Sequence, residues 1–321
     1  MQAPLLDIAG LDVVYSTARG PLRAVADVTL SVREATTLCL IGESGSGKSS
    51  IARAVCGLNP VSGGAIRMAG ADLGAQRGHR AVAAGAAGIQ IVFQDPLSGL
   101  DPRWPVWRSI AEPRLARFKA SAAEHRRVAE GLMERVGLST AYAGRRPHQL
   151  SGGQRQRVTI ARALAAEPKL VILDEAVSAL DLSVRNEILF LLDELKRERA
   201  LTYLFISHDM GAVAQMATDV AVLYLGSLME VGGAQAVISR PAHPYTRALL
   251  AAVPTIDGTN RDVRRAIGDV DDPMHPPAGC RFHRRCPYTI DRCRTEVPAQ
   301  RPFEGRNVAC HRAEEVAAMA H

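Results

Sequence analysis

Short apolar segments, each followed by polar residues, recur along the chain and predict the buried strands of a sheet. They lie at residues 38–41, 88–93, 170–173 and 202–206. Because these segments lack a regular polar alternation, they are typical of strands that are covered on both faces. In open α/β sheets, ligands bind beyond the carboxyl ends of the strands. The pattern therefore predicts an α/β fold whose polar strand ends form one binding edge.

Three further stretches predict the elements around this sheet. Residues 5–35 predict short strands with a turn at Arg19-Gly20-Pro21, where glycine and proline interrupt the pattern. Residues 104–147 are alanine-rich, carry acidic and basic faces, and predict a helical insertion without catalytic spacing. A further helix is predicted to open at residues 150–154 and to continue through Ala166.

A glycine-rich segment, Gly42–Ser49, fits the phosphate-loop pattern G-x-x-x-x-G-K-[ST]. A predicted strand precedes it, and residues 50–55 predict the first turns of a helix. Glycines allow backbone N–H groups to face a polyphosphate, and the helix N-terminus adds a partial positive charge. In such a loop Lys48 reaches the β- and γ-phosphates, and the Ser49 hydroxyl ligates Mg²⁺. The alternative is a glycine-rich turn that fits by chance, and the flanking strand and helix argue against it.

Two acidic residues, Asp174 and Glu175, follow the apolar segment 170–173. Asp174 suits the role of holding Mg²⁺, directly or through water, beside a phosphate loop. Glu175 points to the other side of the strand end and could polarise a water molecule. The same acids could instead form a solvated entry to a loop, but the phosphate loop earlier in the chain favours the catalytic interpretation.

Weaker candidates are single residues near strand ends and helix starts. Gln94 could reach the metal or the attacking water. His208 could contact the γ-phosphate or serve as a structural residue. Tyr15 could stack on an adenine ring, although a tyrosine in a strand often only packs. Ser151 and the two glycines after it form either an anion site or an ordinary helix cap. A second phosphate-binding segment would mean two sites, or one site shared between two chains.

The composition is that of an ordinary globular protein: of 321 residues, 47% are hydrophobic and 22% charged. The net charge is +6, but most of the excess lies in one segment, because residues 280–312 contain eight arginines and three acidic residues. No basic stripe runs along a predicted helix, and only 4% of the residues are aromatic. The chain is therefore not predicted to bind nucleic acid.

Nothing in the sequence predicts a secretory signal or a membrane span. Residues 1–7 have no basic region ahead of an apolar run. Residues 201–231 are the longest apolar candidate, but His208, Asp209 and Asp219 interrupt them before they reach the ~18 apolar residues of a span. If the protein serves a membrane, other chains would have to span it.

The order and spacing of these motifs, together with residues 178–181, resemble the ATP-binding cassette (ABC) family over residues 5–235. The resemblance implies an α/β P-loop NTPase fold with a RecA-like core, an antiparallel β subdomain and a helical subdomain at about residues 96–152. It implies a cassette at residues 5–240, followed by a small cysteine-rich C-terminal extension at residues 241–321. It also implies that two cassettes enclose two ATP molecules between them.

The resemblance assigns a role to each motif. Tyr15 would stack on adenine, Gln94 would sense the transmembrane partner, and Glu175 would be the general base. His208 would be the switch histidine, and Asp181 would belong to a loop that crosses the dimer interface. Residues 151–154 would grip the γ-phosphate bound by the opposite subunit. Family members usually have a proline after the Asp-Glu pair. This chain has Ala176 there, and the loss of a fixed φ could loosen the turn that carries Glu175.

The expected site residues fall into three groups. The expected catalytic residues are Lys48, Gln94, Glu175 and His208. The expected nucleotide contacts are Tyr15, Gly42, Glu43, Ser44, Gly45, Ser46, Gly47, Lys48, Ser49, Ser50, Gln94, Ser151, Gly152, Gly153, Gln154 and Asp174. The expected Mg²⁺ ligands are Ser49, Gln94 and Asp174.

Two segments indicate a subfamily. Residues 93–103 and 241–250 are similar to oligopeptide and dipeptide importers, more to the second (F-type) ATPase of each pair. The similarity implies a peripheral subunit on the cytoplasmic face of the inner (plasma) membrane, where ATP hydrolysis energises peptide import. The implied partners are a sister ABC ATPase in a heterodimer, two transmembrane permease subunits and an extracytoplasmic solute-binding protein. Nickel, glutathione or another small solute is the alternative cargo. A soluble ABC ATPase that acts on ribosomes or DNA is the alternative class.

Four of the six cysteines, Cys280, Cys286, Cys293 and Cys310, lie near the C-terminus, and the other two are expected in the core. Their spacing lacks the C-x2-C pairs of structural zinc sites. It is similar to a segment of peptide-importer ATPases, some of which carry a 4Fe–4S cluster. The nearby arginines would offset the cluster charge and lower the thiol pKa values. A 4Fe–4S cluster, Zn²⁺ and free thiols are the three alternatives.

Overall fold

The computed structural model describes residues 3–74, 88–252 and 271–318. The strands are β1 (Leu6–Thr17), β2 (Gly20–Val32), β3 (Thr37–Ile41), β4 (Gly63–Met68), β5 (Ala71–Asp72), β6 (Ile89–Val92), β7 (Leu170–Asp174), β8 (Thr202–Ile206), β9 (Asp219–Tyr224), β10 (Ser227–Gly233), β11 (Arg301–Phe303) and β12 (Arg306–Val308). The α-helices are α1 (Lys48–Val55), α2 (Val106–Arg117), α3 (Ala122–Arg135), α4 (Gly152–Ala165), α5 (Leu182–Arg199), α6 (Met210–Met216), α7 (Ala234–Ser239), α8 (Pro244–Ala251), α9 (Asp291–Thr295) and α10 (Ala313–Ala318).

The central sheet has eight strands in the order β11-β12-β10-β9-β3-β8-β7-β6. Strands β9, β3, β8, β7 and β6 run parallel to one another, so their carboxyl ends lie at one edge. The buried strands predicted from the apolar segments are confirmed as β3, β6, β7 and β8. This edge carries the phosphate loop and the polar residues that follow the other three strands.

The parallel strands are mainly apolar because both faces of the central ones pack on separate cores; β6, at the sheet edge, is partly buried. Along β3, Leu38 and Leu40 belong to the apolar cluster beneath α1, whereas Cys39 and Ile41 belong to the cluster beneath the helical side. Every residue of β3, β7 and β8 is buried. The two-sided burial explains why polar residues do not alternate in these strands. Cys39 and Cys56 are core residues, as predicted.

A second sheet is antiparallel, with the strand order β2-β1-β4-β5. Strands β1 and β2 are long, with 12 and 13 residues. The turn between them lies close to the predicted position. The prediction of several short strands here is wrong. Register shifts between Ile8 and Leu11 and between Leu11 and Val13 interrupt the alternation of side chains. Such bulges bend a ladder without ending it, so one continuous hairpin forms where the sequence pattern suggests breaks.

Helices α2 and α3 form the predicted helical insertion, and α4 packs against both. Ile110, Met133 and Val158, one from each helix, are fully buried in the same apolar cluster. Helix α4 begins after Ser151, whose Oγ accepts the N–H of Gln154 at 3.3 Å. Within the residues that the structure describes, no helix is long and apolar enough to cross a membrane.

The C-terminal residues extend the central sheet, because β12 pairs with β10 and β11 pairs with β12. A buried ion pair joins the parts of the chain before and after residue 240, the predicted domain boundary. Arg306 Nη1 lies 3.3 Å from Glu230 Oε1, and the two side chains are 1% and 0% exposed. Glu230 also accepts the backbone N–H groups of Ala242 and His243, each at 3.0 Å. A domain boundary near residue 240 stays a prediction, since packing continues across it.

Candidate active site

The predicted catalytic residues lie where four parallel strands end at one edge of the central sheet. The phosphate loop follows β3, Gln94 follows β6, Asp174 ends β7, and His208 follows β8. Because parallel strands present their carboxyl ends together, residues far apart in the sequence meet here. Ser49 contacts Asp174, the last residue of β7. Gln94 and His208 contact Glu175, the next residue.

The phosphate loop has a backbone that only glycine adopts readily. Gly42 and Gly47 have φ values of 150° and 105°. A Cβ atom at Gly42 would lie 2.2 Å from the carbonyl oxygen of Leu223, and one at Gly47 would lie 2.4 Å from that of Ala24. The loop is therefore packed tightly between neighbouring backbone segments. Helix α1 begins within the motif, at Lys48, which directs the helix N-terminus to the loop.

Lys48 is buried against the loop that precedes it. Its Nζ donates to the carbonyl oxygens of Gly42 and Glu43, both at 2.8 Å, and to Ser46 Oγ at 3.2 Å. Burial lowers the pKa of Lys48, and the carboxylates at the end of β7 and that of Glu43 oppose this shift. These contacts keep the ammonium group within the curve of the loop, where it can share a phosphate oxygen with the loop amides.

Ser49 and Asp174 form the pair expected of a Mg²⁺ site. Ser49 Oγ donates to Asp174 Oδ1 at 2.8 Å, which ties α1 to the end of β7. Burial raises the pKa of Asp174, whereas the hydrogen bond from Ser49 and the charge of Arg53 oppose the rise. A hydroxyl and a carboxylate are the hard oxygen ligands that Mg²⁺ prefers, so this pair fits the ion.

Glu175 is the residue on which the other candidate groups converge. Gln94 Nε2 donates to Glu175 Oε2 at 3.0 Å, and His208 Nδ1 lies 3.6 Å from the same oxygen. The φ of Glu175 is 50°, a left-handed backbone that is strained for a residue with a Cβ. Strain of this kind concentrates at functional sites, and the side chain remains partly open to water.

The turn that carries Glu175 is held without the proline that is usual in the family. The N–H and Oγ of Ser178 donate to the Glu175 carbonyl oxygen at 3.1 and 2.9 Å. Ala176 and Val177 are 3% and 1% exposed and pack into the core. Hydrogen bonding and burial thus fix the turn that the sequence suggested could be loose.

Tyr15 lies beside α1, and its hydroxyl is engaged there. Tyr15 Oη donates to Ser50 Oγ at 3.0 Å and accepts a hydrogen bond from Asn59 Nδ2 at 2.6 Å. The ring is half-buried against the apolar cluster beneath α1. The structure therefore brings Tyr15 and Ser50 together, two of the predicted nucleotide contacts, while stacking on adenine stays a prediction.

The segment 151–154 lies at the start of α4 and makes local hydrogen bonds. Ser151 Oγ accepts the N–H of Gln154 at 3.3 Å, and Gln154 Oε1 accepts the N–H of Ser151 at 3.0 Å, forming a capping box. A Cβ at Gly153 would lie 2.7 Å from Val184 Cγ1. Among the described residues, no hydrogen bond joins this segment to the phosphate loop. One chain therefore does not unite its two predicted phosphate-binding segments.

Asp181 caps the N-terminus of α5. Arg185, in the first turn of α5, links the loop before the helix to the residue after His208. The backbone N–H of residue 184 donates to Asp181 Oδ1 at 3.0 Å and lowers the pKa of that carboxyl group. Arg185 Nη2 donates to the carbonyl oxygen of Leu180 at 2.9 Å, and Arg185 also pairs with Asp209. The loop before α5 and the residue after His208 are thus held by the same side chain.

Two C-terminal residues contact the phosphate loop and are missed by sequence reasoning. The N–H of Glu43 donates to Tyr245 Oη at 2.8 Å. Arg285 donates to both carboxylate oxygens of Glu43, at 2.7 and 2.8 Å. The arginine excess of residues 280–312 is the only sequence signal for this contact, and nothing in the spacing indicates which arginine turns to the loop.

The four C-terminal cysteines line one pocket but show no metal site. Within residues 3–74, 88–252 and 271–318, no group of three or more His, Cys, Asp or Glu side chains is arranged to hold a metal ion. Burial raises the pKa of Cys280 to about 11 and that of Cys286 to about 12. Neither the 4Fe–4S cluster nor Zn²⁺ is supported by the described residues, in which the four cysteines are free thiols, the third alternative.

The prediction that arginines lower the thiol pKa values is wrong for these two cysteines. Carboxylates engage the arginines instead: Arg301 pairs with Glu314, and Arg312 pairs with Glu315. Desolvation raises the pKa of Cys310 and is the larger effect, although Arg301 does lower it.

Two family models match the chain. Residues 25–178 match the model described as ABC transporter, and residues 229–293 match the model described as oligopeptide/dipeptide transporter, C-terminal region. The di/tripeptide transport ATP-binding protein DppF of Pseudomonas aeruginosa is 41% identical over 310 residues, which cover 94% of this chain and 95% of the relative. A probable peptide ABC transporter ATP-binding protein of Sinorhizobium fredii is 44% identical over 293 residues, covering 90% of this chain and 82% of the relative.

Solved structures share the fold of this chain over about three quarters of its length. The ATP-binding cassette MJ0796, in a dimeric post-hydrolysis state bound to ADP and Pi, has a TM-score of 0.66 and 25% identity, covering 71% of this chain and 98% of that chain. CbiO1 of Clostridium perfringens, part of the ABC transporter complex cbiONQ, has a TM-score of 0.64 and 27% identity, covering 74% and 91%. The predicted cassette fold is confirmed, whereas a distinct cysteine-rich extension is not.

Proposed function

Since this chain belongs to the ATP-binding cassette (ABC) transporter family, we propose that it is the ATP-hydrolysing subunit of an importer of di- and oligopeptides. Relatives of similar length are named for peptide or di/tripeptide transport. Residues 229–293 match the C-terminal region of oligopeptide/dipeptide transporters, which supports the same cargo. The observation that carries the ATPase function is the Glu175 carboxylate, held between Gln94 and His208 at the edge of the sheet that also bears the phosphate loop.

The phosphate loop binds the nucleotide. Its amides and the Lys48 ammonium group contact the β- and γ-phosphates, whose charge they balance. Ser49 and Asp174 hold Mg²⁺, which neutralises phosphate charge when it is bound. The fixed hydrogen bond between these two side chains keeps the oxygen ligands together before nucleotide binds.

Glu175 accepts a proton from the water that attacks the γ-phosphate. Gln94 and His208 lie at the same carboxylate oxygen and orient it. His208 also supplies a donor that stabilises charge on the γ-phosphate. The strained backbone of Glu175 fixes the direction of its side chain, which reduces the reorganisation that the reaction requires.

A second ABC subunit completes the site. Residues 151–154 would bind the γ-phosphate held by the other subunit, and their separation from the chain's own phosphate loop supports this arrangement. The MJ0796 cassette, which shares the fold, is dimeric. We expect the second subunit to be a sister ATPase, so that the pair is a heterodimer.

The remaining partners follow from the importer function. Two permease subunits would form the membrane channel, and an extracytoplasmic solute-binding protein would deliver the peptide. The chain would then bind peripherally at the cytoplasmic face of the inner membrane. Isolation from detergent-solubilised membranes should recover it with the permeases, and isolation with ribosomes alone would contradict a role in transport.

Glu175→Gln tests the hydrolytic function. The variant should bind MgATP with an affinity within about twofold of the unchanged protein, because the amide preserves shape. It should lose at least about a hundredfold in the rate of ATP hydrolysis, because an amide cannot accept the proton. Both quantities are measured on the transporter purified from membranes.

Glu167→Gln is the matched control. Glu167 is also a glutamate with a left-handed backbone, φ 51°, but it pairs with Arg114 and precedes β7, at the opposite end of that strand from Glu175. Its hydrolysis rate should stay within about twofold of the unchanged protein, because substitutions outside a site usually have small effects. Normal hydrolysis by Glu175→Gln would remove the general base from the proposal.

A further inference from the structure

The C-terminal segment holds the second residue of the phosphate loop from two sides. Arg285 donates to both carboxylate oxygens of Glu43, at 2.7 and 2.8 Å, while Tyr245 Oη accepts the Glu43 N–H at 2.8 Å. The first contact fixes the side chain and the second fixes the backbone. Arg285 and Tyr245 lie 242 and 202 residues after Glu43, so tertiary packing alone brings them to the loop.

The two residues are themselves held by aromatic packing. The rings of Tyr245, Tyr224 and Phe282 form one cluster, with centroids 4.7 to 5.4 Å apart. The Arg285 guanidinium lies 5.4 Å from the Tyr224 ring and donates to its Oη at 3.1 Å. A planar guanidinium that packs on rings and forms a bidentate pair has little remaining freedom.

The charge of Glu43 gives these contacts a consequence for the nucleotide. A carboxylate within a phosphate loop repels a triphosphate unless a cation balances it. Arg285 supplies that cation: its side chain is 7% exposed and that of Glu43 is 28% exposed. Partial burial reduces screening by water, so the pair interacts more strongly than a fully exposed one.

We propose that Arg285 and Tyr245 are positioning residues of the nucleotide site, which hold and neutralise Glu43 so that the phosphate loop is ordered before ATP binds. The inference rests on the proposed function, because it concerns the affinity of that same site for ATP. The C-terminal segment thereby contributes to ATP binding, and Arg285 does so only through Glu43.

The first test measures binding of a fluorescent ATP analogue with Mg²⁺ to the full chain. Arg285→Gln should weaken binding about tenfold, because it leaves the Glu43 charge unbalanced beside the phosphates. Adding Glu43→Gln to this variant should restore affinity to within about threefold of the unchanged protein, because it removes the same charge. In the assembled transporter, the KM for ATP should rise in Arg285→Gln while kcat stays within about twofold.

Arg284→Gln is the matched control. Arg284 is the adjacent residue and also pairs with a carboxylate, that of Asp271 at 3.3 Å, but it has no contact with the loop among those described. Its ATP affinity should stay within about twofold of the unchanged protein, because the Arg284 side chain is 59% exposed and lies outside the loop contacts. Thermal unfolding of each variant checks that the chain is folded.

Amide hydrogen exchange without nucleotide separates this inference from the proposed function. Loop peptides that contain residues 43–48 should exchange faster in Arg285→Gln than in the unchanged chain, but not in Arg284→Gln. If the unchanged chain does not bind ATP, the proposed function fails. The exchange rates still show whether Arg285 orders the phosphate loop through Glu43. Unchanged exchange, an affinity equal to that of Arg284→Gln, or a double variant as weak as Arg285→Gln would each overturn the inference.

Discussion

Replacing Arg306 by leucine should destabilise the protein, because it leaves the buried carboxylate of Glu230 without its cation. The two side chains are 1% and 0% exposed, so water cannot replace the lost partner. Removing one partner of such a pair costs about 3–5 kcal/mol. Glu230 keeps two backbone N–H donors, from Ala242 and His243, which places the loss at about 3 kcal/mol. For a chain of this length the loss lowers Tm by about 4 °C.

The loss should depend on pH in a direction that the structure specifies. Burial raises the pKa of Glu230 above its ordinary value of 4.5, and its hydrogen bonds and Arg306 oppose the rise. A carboxyl group with a higher pKa in the folded state binds a proton more readily when folded, so its contribution to stability falls as pH rises above the ordinary value. Arg306→Leu raises that pKa further, and its deficit should therefore be larger at pH 8 than at pH 5.

Thermal unfolding at these two pH values, followed by calorimetry, measures both effects. Arg301→Leu is the control, because its pair with Glu314 is partly exposed and should contribute less than about 1 kcal/mol. Adding Glu230→Gln to Arg306→Leu should recover about half of the loss, because it removes the buried charge. Failure to recover any stability, or an equal deficit at both pH values, would refute the electrostatic reasoning.

Two further variants test the nucleotide site. Ser49→Ala removes the hydroxyl that donates to Asp174, so affinity for ATP should fall about tenfold with Mg²⁺ and less than about twofold with EDTA. Equal losses in both conditions would contradict the role of Ser49 at the metal. Gly153→Ala places a Cβ 2.7 Å from Val184 Cγ1, and hydrolysis by the assembled transporter should fall at least about tenfold. Binding of ATP to the isolated chain should not change, and a parallel loss of binding would place Gly153 in the chain's own site.

Sequence reasoning succeeds where the chemistry and the element that carries it are local. The phosphate loop is recognisable because its glycines, Lys48 and Ser49 are adjacent in the chain and the flanking strand and helix have clear patterns. Asp174 and Glu175 are identified for the same reason, since both directly follow an apolar strand. That these residues lie close together follows from the geometry of a parallel sheet, so it can be predicted without knowing individual contacts.

Sequence reasoning fails where the outcome depends on distant partners. The bulges of β1 break the alternation that marks a strand, so one long hairpin is mistaken for several short strands. The cysteines show a different limit: their spacing left a 4Fe–4S cluster, Zn²⁺ and free thiols open, and the burial that raises the pKa of Cys286 could not be read from the sequence. Arg285 cannot be distinguished from its seven neighbours in the arginine-rich segment until the fold places it beside Glu43.

The two predicted phosphate-binding segments differ in a way that supports the proposed pairing of two cassettes. The phosphate loop is already packed: Lys48 and Ser49 are bonded within one chain, and the C-terminal segment braces Glu43. In the described part of the chain, the segment 151–154 is capped by its own side chains, and the first amides of α4 have no intrahelical acceptor. Glycine at residues 152 and 153 leaves those amides unshielded by Cβ atoms, so they are suited to an anion that another molecule brings. In a pair of cassettes, one chain would present the preformed phosphate loop that binds ATP. The other chain would present the exposed start of α4 to the γ-phosphate.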